Sequence, residues 1–394
     1  MKRILVSARS SGPAGARRRV QVIFFFVAVN LVLLAFIGPL TGGDTVIYLD
    51  GATRLVDGQP LVERQPSYLG YIVIVAACQA MGVGLLGLIL LQIGMATVAA
   101  GAVYRLGAEL AGARAAFIAT SVFALDVETN RWHDYVLADS LYMSALTVAV
   151  WRVHGASGSP RRWGSVLAAI ASLIVAGLIR PEGWFVLPAA ALYWIARAPA
   201  APIRRWVASL ALVPACVVFV LVIASRLSGN ISAVDPAGLL HRGQTIWDYD
   251  GWRVTMPQAM PDDIGPGSAG GAIRYAVSHP LDTAALMAAR VGVHLIHVRP
   301  FYSTQHNAAI VLWLVPVYTL AVVAVWYRWT HPLTIWCALV FASQALVVAL
   351  THADADGRYL AHVLPIVYPF VGAGAAIVAH RQLGEAAALK EREG

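Results

Sequence analysis

The stretch GGDTVIYLDGATRLVDGQPLVERQPSY, residues 42–68, carries Asp44, Asp50, Arg54, Asp57, Glu63 and Arg64 between two apolar runs. Other ionisable residues stand at the ends of further apolar runs: Asp139 at the start of one, Arg180 at the end of another, Arg358 ahead of the last. Such groups are costly beside hydrocarbon unless paired or solvated in a cavity, which makes them functional candidates by default. Interfacial anchoring is the plain alternative for any one of them, and it loses ground when several converge on one face. Carboxylates beside arginines suit a reaction in which a hydroxyl or amine attacks a carbon bearing a phosphate leaving group. The carboxylate takes the proton, and the arginines hold the departing phosphate through bidentate hydrogen bonds. A phosphate on a lipid carrier would sit at this interface, with its chain between helices.

The elements that must position these residues are helices in a membrane. The 394-residue chain is 59% hydrophobic and 13% charged, and its mean hydropathy is +0.67. A soluble chain of this length needs far more polar surface, so the composition reads as a polytopic membrane protein, all-α. Expected spans are 20–40, 84–106, 112–127, 138–153, 163–179, 183–197, 206–226, 307–327, 333–350 and 360–380. The run 69–82 is shorter and reads as interfacial or re-entrant; if it spans, the count becomes eleven. The basic start followed by Val20–Leu40 resembles a signal peptide, but the apolar run is too long and no clean cleavage site follows, so it reads as a retained first helix. Cys78, Cys216 and Cys337 lie inside apolar runs at irregular spacing and imply neither a disulfide framework nor a zinc site.

With ten spans and a cytoplasmic N-terminus, the cytoplasmic segments hold 18 of the 29 basic residues and only 4 of the 21 acidic ones. That asymmetry satisfies the positive-inside rule. The sequence pI near 9.6 then reports topology and anionic lipid, not nucleic acid. The external segments become 41–83, 128–137, a tight turn near 180–182, the long loop 227–306 and 351–359. The chain divides into an N-terminal membrane module, 1–226, the long loop 227–306 and C-terminal helices, 307–394. Within the loop, LDTAALMAARVGVHLIHV (281–298) has helical apolar spacing and is expected to lie on the membrane surface.

The order GDT..Y...A..L..G.PL, followed by an acidic–basic–x–Pro–x–Tyr element, resembles the first external loop of membrane glycosyltransferases of the C superfamily. It is most similar to the protein O-mannosyltransferase and lipid A aminoarabinose transferase group. The resemblance continues through LILLQIGMATVAAGAVYRLGAELAGARAAFIATSVFAL, HDYVLADSLYMSALTVAVW, GLIRPEGWFVLPAAALYW and GRYLAHVLPIVYPFVGAGAAI, in that order. It covers about residues 20–200 and 351–380 and leaves the loop 227–306 unmatched. It implies a polyprenyl-phosphate-linked sugar as donor, a glycan, lipid or protein acceptor, and an active site on the external face. The Arg-heavy usage, with Lys2 and Lys390 the only lysines, is associated with a GC-rich genome and leads to the expectation of a bacterial inner membrane.

Carried over by position, Asp44 matches the first-loop carboxylate that acts as base or orients the acceptor, with helix capping as the plain alternative. Glu63 and Arg64 match the acidic–basic pair, Arg64 toward the donor phosphate and Glu63 toward sugar or acceptor. Gln65 stands where many relatives have a proline. Asp139 matches the second-loop acid, with a helix cap as its alternative and Glu128 and Asp134 as rivals. Arg358 matches the late arginine that meets phosphate, and Arg180 is a further phosphate candidate. Asp50, Arg54 and Asp57 read as the solvated face of a short helix ending at Gly58.

No cofactor is firmly expected. A divalent cation at HADADG (352–357), or among His294, His297, His306 and His352, is the minor reading, because the calcium pattern lacks its further ligands. Asn230 heads a chance-level glycosylation triplet, and Trp132, Trp184, Trp247, Trp252 and Tyr302 read mainly as an aromatic belt. The main alternative function is a transporter or flippase, which calls for ionisable groups at the membrane midplane and paired broken helices. A polysaccharide ligase or polymerase would put its chemistry in one large loop. A noncatalytic scaffold leaves the gathered carboxylates and arginines without a purpose.

Overall fold

The computed structural model describes residues 13–157, 163–197, 215, 236–257 and 269–393. The expected span 206–226 and the Asn230 triplet therefore lie outside the described residues, residue 215 apart. The described chain is predominantly α-helical. Five helices are long and apolar enough to cross a membrane: Gly15–Ile37, Gly84–Leu125, Thr304–Arg328, Pro332–Leu350 and Arg358–Gln382. Their outward faces carry large apolar side chains, such as Phe24 at 74% and Phe36 at 87% exposure, which water alone would not favour.

The first helix, α1 (Pro13–Ile37), leads through a turn to α2 (Thr45–Val56) and then to α3 (Leu69–Ala80). The 12 residues of α3 rise about 18 Å, short of roughly 30 Å of hydrocarbon. The expected spans 84–106 and 112–127 lie in α4 (Gly84–Leu125), which is two helices separated by non-helical backbone at Ala111 and Gly112. Gly112 makes the break with φ of 84°, a conformation costly for any side chain. After the short α5 (Val127–Asn130) come α6 (Ala138–Ser157), α7 (Trp163–Ile179) and α8 (Val186–Arg197). These three match the expected runs 138–153, 163–179 and 183–197, but they are shorter or less apolar than the five above. α6 is buried on nearly every side.

The C-terminal helix Arg358–Glu393 is the centre of the bundle, packed against α4, α6 and the helix Thr304–Arg328. Two glycines allow its close approach. A Cβ on Gly372 would stand 2.1 Å from the Ala115 carbonyl oxygen, and one on Gly374 would stand 2.0 Å from that of Leu320. Small residues at helix crossings let backbones meet where lipid supplies no hydrophobic drive between helices.

Part of the long loop departs from a purely helical reading. Gln244–Ile246 and Tyr249–Arg253 form an antiparallel hairpin, and Ile246 pairs with Ala353. The amphipathic segment does form a helix, Pro280–Ile296. However, its stripe Thr283, Leu286, Arg290 and His294 is buried against protein, so the helix is not simply laid on a surface.

Candidate functional site

Asp44 is placed by a pinned loop. Leu40 N donates to Asp134 O at 2.8 Å, and Val136 N donates to Leu40 O at 2.9 Å. Thr45 Oγ1 donates to Val136 O at 2.9 Å and accepts from Gly42 N at 2.8 Å. The first loop is thus stitched to the segment that leads into Asp139. Gln92 braces the same segment, its Nε2 donating to the carbonyls of His133 and Tyr135 at 2.9 and 2.8 Å.

Arg358 is placed by a second pinned loop, 351–357. Trp247 N donates to Ala353 O at 2.8 Å, and Ala353 N donates to Thr245 O at 2.9 Å. Arg299, fully buried, donates to the carbonyls of Asp354 and Ala355 at 2.9 and 3.2 Å. Gly357 has φ of 83°, and a Cβ there would fall 1.8 Å from the His297 ring, so only glycine fits ahead of Arg358.

These two loops meet at Asp44. Arg64 Nη2 donates to Asp44 Oδ1 at 2.9 Å, and Arg358 Nη1 donates to Asp44 Oδ2 at 3.0 Å. Asp44 occupies the N-cap position of α2, yet its side chain makes no capping bond. Capping therefore does not explain it, and both oxygens serve the arginines. Arg64 is 56% exposed, while Asp44 and Arg358 are each 21% exposed, which leaves this trio open to a ligand.

A second, buried group of four residues lies alongside. Arg180 Nη1 pairs with Asp139 Oδ1, His362 Nε2 lies 2.8 Å from the same oxygen, and Arg180 Nη2 donates to Glu182 Oε1 at 2.9 Å. Asp139 is in the first turn of α6, where the helix dipole favours a carboxylate. Burial pushes the Glu182 carboxyl up, but the charge and hydrogen bonds of Arg180 outweigh it and hold the group below its ordinary value. Tyr359 joins the two groups: its ring centre is 5.7 Å from the Arg358 guanidinium carbon and 5.5 Å from that of Arg180. Tyr68 faces Arg180 from the other loop at 5.9 Å.

Five of the six sequence candidates are thus gathered: Asp44, Arg64, Arg358, Asp139 and Arg180. Glu63 is not. It is exposed, its φ is 50°, and it makes no ion pair among the described residues. Gln65 is buried and ties the loop to α2, donating to Asp50 Oδ2 at 2.7 Å and accepting from Val62 N at 2.9 Å. Asp50 also pairs with Arg54 at 2.9 Å, on a helix that ends before Gly58 at φ of 69°.

The rivals to Asp139 stand apart. Glu128 pairs with Arg131 at 2.6 Å. Asp134 is buried with neither carboxylate oxygen partnered among the described residues, and burial pushes it up to about 6. The histidines separate too: His352 lies against Trp247, whereas His297 and His306 face Glu128 at 3.8 and 3.5 Å. Among the described residues, no group of three or more His, Cys, Asp or Glu is placed to hold a metal ion.

Sequence reasoning missed His362, Glu182, Tyr68 and Tyr359. His362 had a signal, since it stands four positions after Arg358 in GRYLAH and so on the same helix face. Glu182, two positions after Arg180 in RPEG, was equally visible. Chemically, the site offers one accessible carboxylate between two accessible guanidiniums, backed by a buried ion network that fixes their positions.

No family model matches the chain, and the search of curated proteins finds no match.

Proposed function

We propose that the protein is a membrane glycosyltransferase that moves a sugar from a polyprenyl-phosphate donor to an acceptor hydroxyl. The observation that carries this reading is the Asp44 carboxylate held at 2.9 and 3.0 Å by Arg64 and Arg358. The chain is read as a bundle of about ten spans with a cytoplasmic N-terminus, in a bacterial plasma membrane, with the site on the external side.

In the proposed reaction the acceptor oxygen bonds to the anomeric carbon as that carbon's bond to the phosphate oxygen breaks, with inversion. Asp44 takes the hydroxyl proton, and the polyprenyl phosphate leaves with both electrons of the broken bond. Before reaction, two guanidiniums face one carboxylate and one phosphodiester charge. Afterwards Asp44 is neutral and the phosphate carries two charges. The negative charge passes from Asp44 to the phosphate between the same two arginines, so the local sum is unchanged. Fixed charges matched to both states need little reorganisation, and that favours the transition state. Asp139, 1% exposed, acts as a positioning residue through Arg180. Glu63 is left to contact sugar or acceptor from the exposed loop.

The test supplies purified protein with radiolabelled polyprenyl-phosphate sugars and candidate acceptors, comparing wild type with Asp44→Asn. Transfer by wild type and a loss of about 100-fold or more in the variant is expected for a general base. Equal transfer by both overturns the role of Asp44. Absence of transfer from every donor, together with uptake of a lipid-linked or small solute into vesicles, would favour a transporter.

A further inference from the structure

At the end of the bundle opposite this site, three arginines gather with no carboxylate paired to them among the described residues. Arg152 stands on α6 thirteen residues after Asp139, about 20 Å farther along the helix. Its guanidinium carbon lies 4.3 Å from the centre of the Trp151 ring, and that of Arg105, on α4, lies 4.6 Å from the same ring. Arg19, on α1, brings a third charge to bear on Arg105. Its Nη2 lies 3.9 Å from where a Cβ would stand on Gly101. Tyr104 donates to Gly15 O at 3.1 Å and pins the start of α1 to α4, which holds Arg19 in place.

None of the three makes an ion pair with a carboxylate among the described residues. Glu109, one turn from Arg105, is taken by His154 Nε2 at 2.5 Å. The Trp151 ring attracts both neighbouring guanidiniums but neutralises neither. Three like charges held together in this way cost free energy unless an anion joins them, and guanidiniums suit phosphate oxygens best. The surroundings indicate which phosphate. Val20 and Phe24 follow Arg19 on α1 and are 69% and 74% exposed. Val98, seven residues before Arg105 on α4, is 51% exposed. An apolar, lipid-directed surface therefore begins where the arginines end, as an acyl chain below a headgroup requires.

We propose that Arg19, Arg105 and Arg152, with Trp151, form a binding site for the phosphate of an anionic phospholipid headgroup. The site is independent of the transfer chemistry at the other end and holds whether or not that reading stands. Its role is to fix α1, α4 and α6 to one another at the membrane surface through a shared lipid.

The test is native mass spectrometry of the full chain released from mild detergent with phosphatidylglycerol or phosphatidylcholine of identical chains. Phosphatidylglycerol should be retained at least 10-fold more tightly. The double variant Arg105→Gln/Arg152→Gln should lose that preference, while Arg328→Gln, a basic residue outside the cluster, should keep it. If the double variant does not fold, the single variant Arg152→Gln should weaken retention at least 2-fold. Equal retention of the two lipids overturns the proposal, as does an equal loss in Arg328→Gln, which would mean a diffuse basic surface. Displacement of the lipid by glycerol 3-phosphate at equal concentration also overturns it, because the site would then take soluble phosphate.

Discussion

Asp44 and Arg358 are 314 residues apart in the chain, yet Arg358 Nη1 donates to Asp44 Oδ2 at 3.0 Å. Each reaches the contact from a loop that backbone hydrogen bonds fix elsewhere, so little ordering is left for the pair itself. Both groups are partly exposed. A double-mutant cycle of Asp44→Asn and Arg358→Gln should give a coupling of about 1 kcal/mol in thermal or chemical melts. Additive losses would mean that the contact is not made in solution.

The buried network behaves differently. Arg180 is 2% and Asp139 1% exposed, and removing one partner leaves a charge stranded away from water. Arg180→Gln should cost about 3–5 kcal/mol of stability. His362→Gln disturbs one of the four hydrogen bonds in the network and should cost about 1–3 kcal/mol. If His362→Gln destabilises more than Arg180→Gln, the ion pair is not the centre of this network.

Asp134 is a buried carboxyl without a partner among the described residues, pushed up to about 6 by burial. Its proton is held more tightly in the folded than in the unfolded chain. Stability is therefore greatest below the unfolded value near 4 and falls as pH rises through about 6. A displacement of about 2 pH units corresponds to roughly 3 kcal/mol. Asp134→Asn removes that cost, so it should raise the melting temperature at pH 8 while changing it little at pH 4.5. An equal effect at both pH values would contradict the assignment.

Gly372 lets the C-terminal helix meet α4, and a Cβ would stand 2.1 Å from the Ala115 carbonyl oxygen. Backbone cannot yield as a side chain does, so Gly372→Ala should destabilise by about 1–3 kcal/mol or more. Gly155→Ala, where a Cβ meets nothing within 4 Å, is the control and should be neutral or slightly stabilising. Thermal melts of the two variants decide whether this helix crossing is as close as described.

Composition and apolar run length were enough to read an all-α chain with membrane-length helices, because hydrocarbon leaves the backbone few other ways to satisfy its hydrogen bonds. Charge placed at run ends was enough to single out Asp44, Asp139, Arg180 and Arg358, while Arg64 was marked, with Glu63, by the resemblance of its loop. Local periodicity stops at neighbours within a turn or two, and it had no means of showing which distant groups meet. Asp44 reads from its position as a helix cap; only the approach of Arg64 and Arg358 takes both its oxygens elsewhere. Glu63 reads as the equal of Arg64, and a left-handed backbone turn sends it away from the cluster. The hairpin that pins Ala353 and the hydrogen bond of His362 to Asp139 both depend on contacts between remote segments. Sequence determined which residues were worth bringing together, since the cost of a charge beside lipid is local. Tertiary structure decided which of them were brought together, since pairing and burial are properties of a position in space.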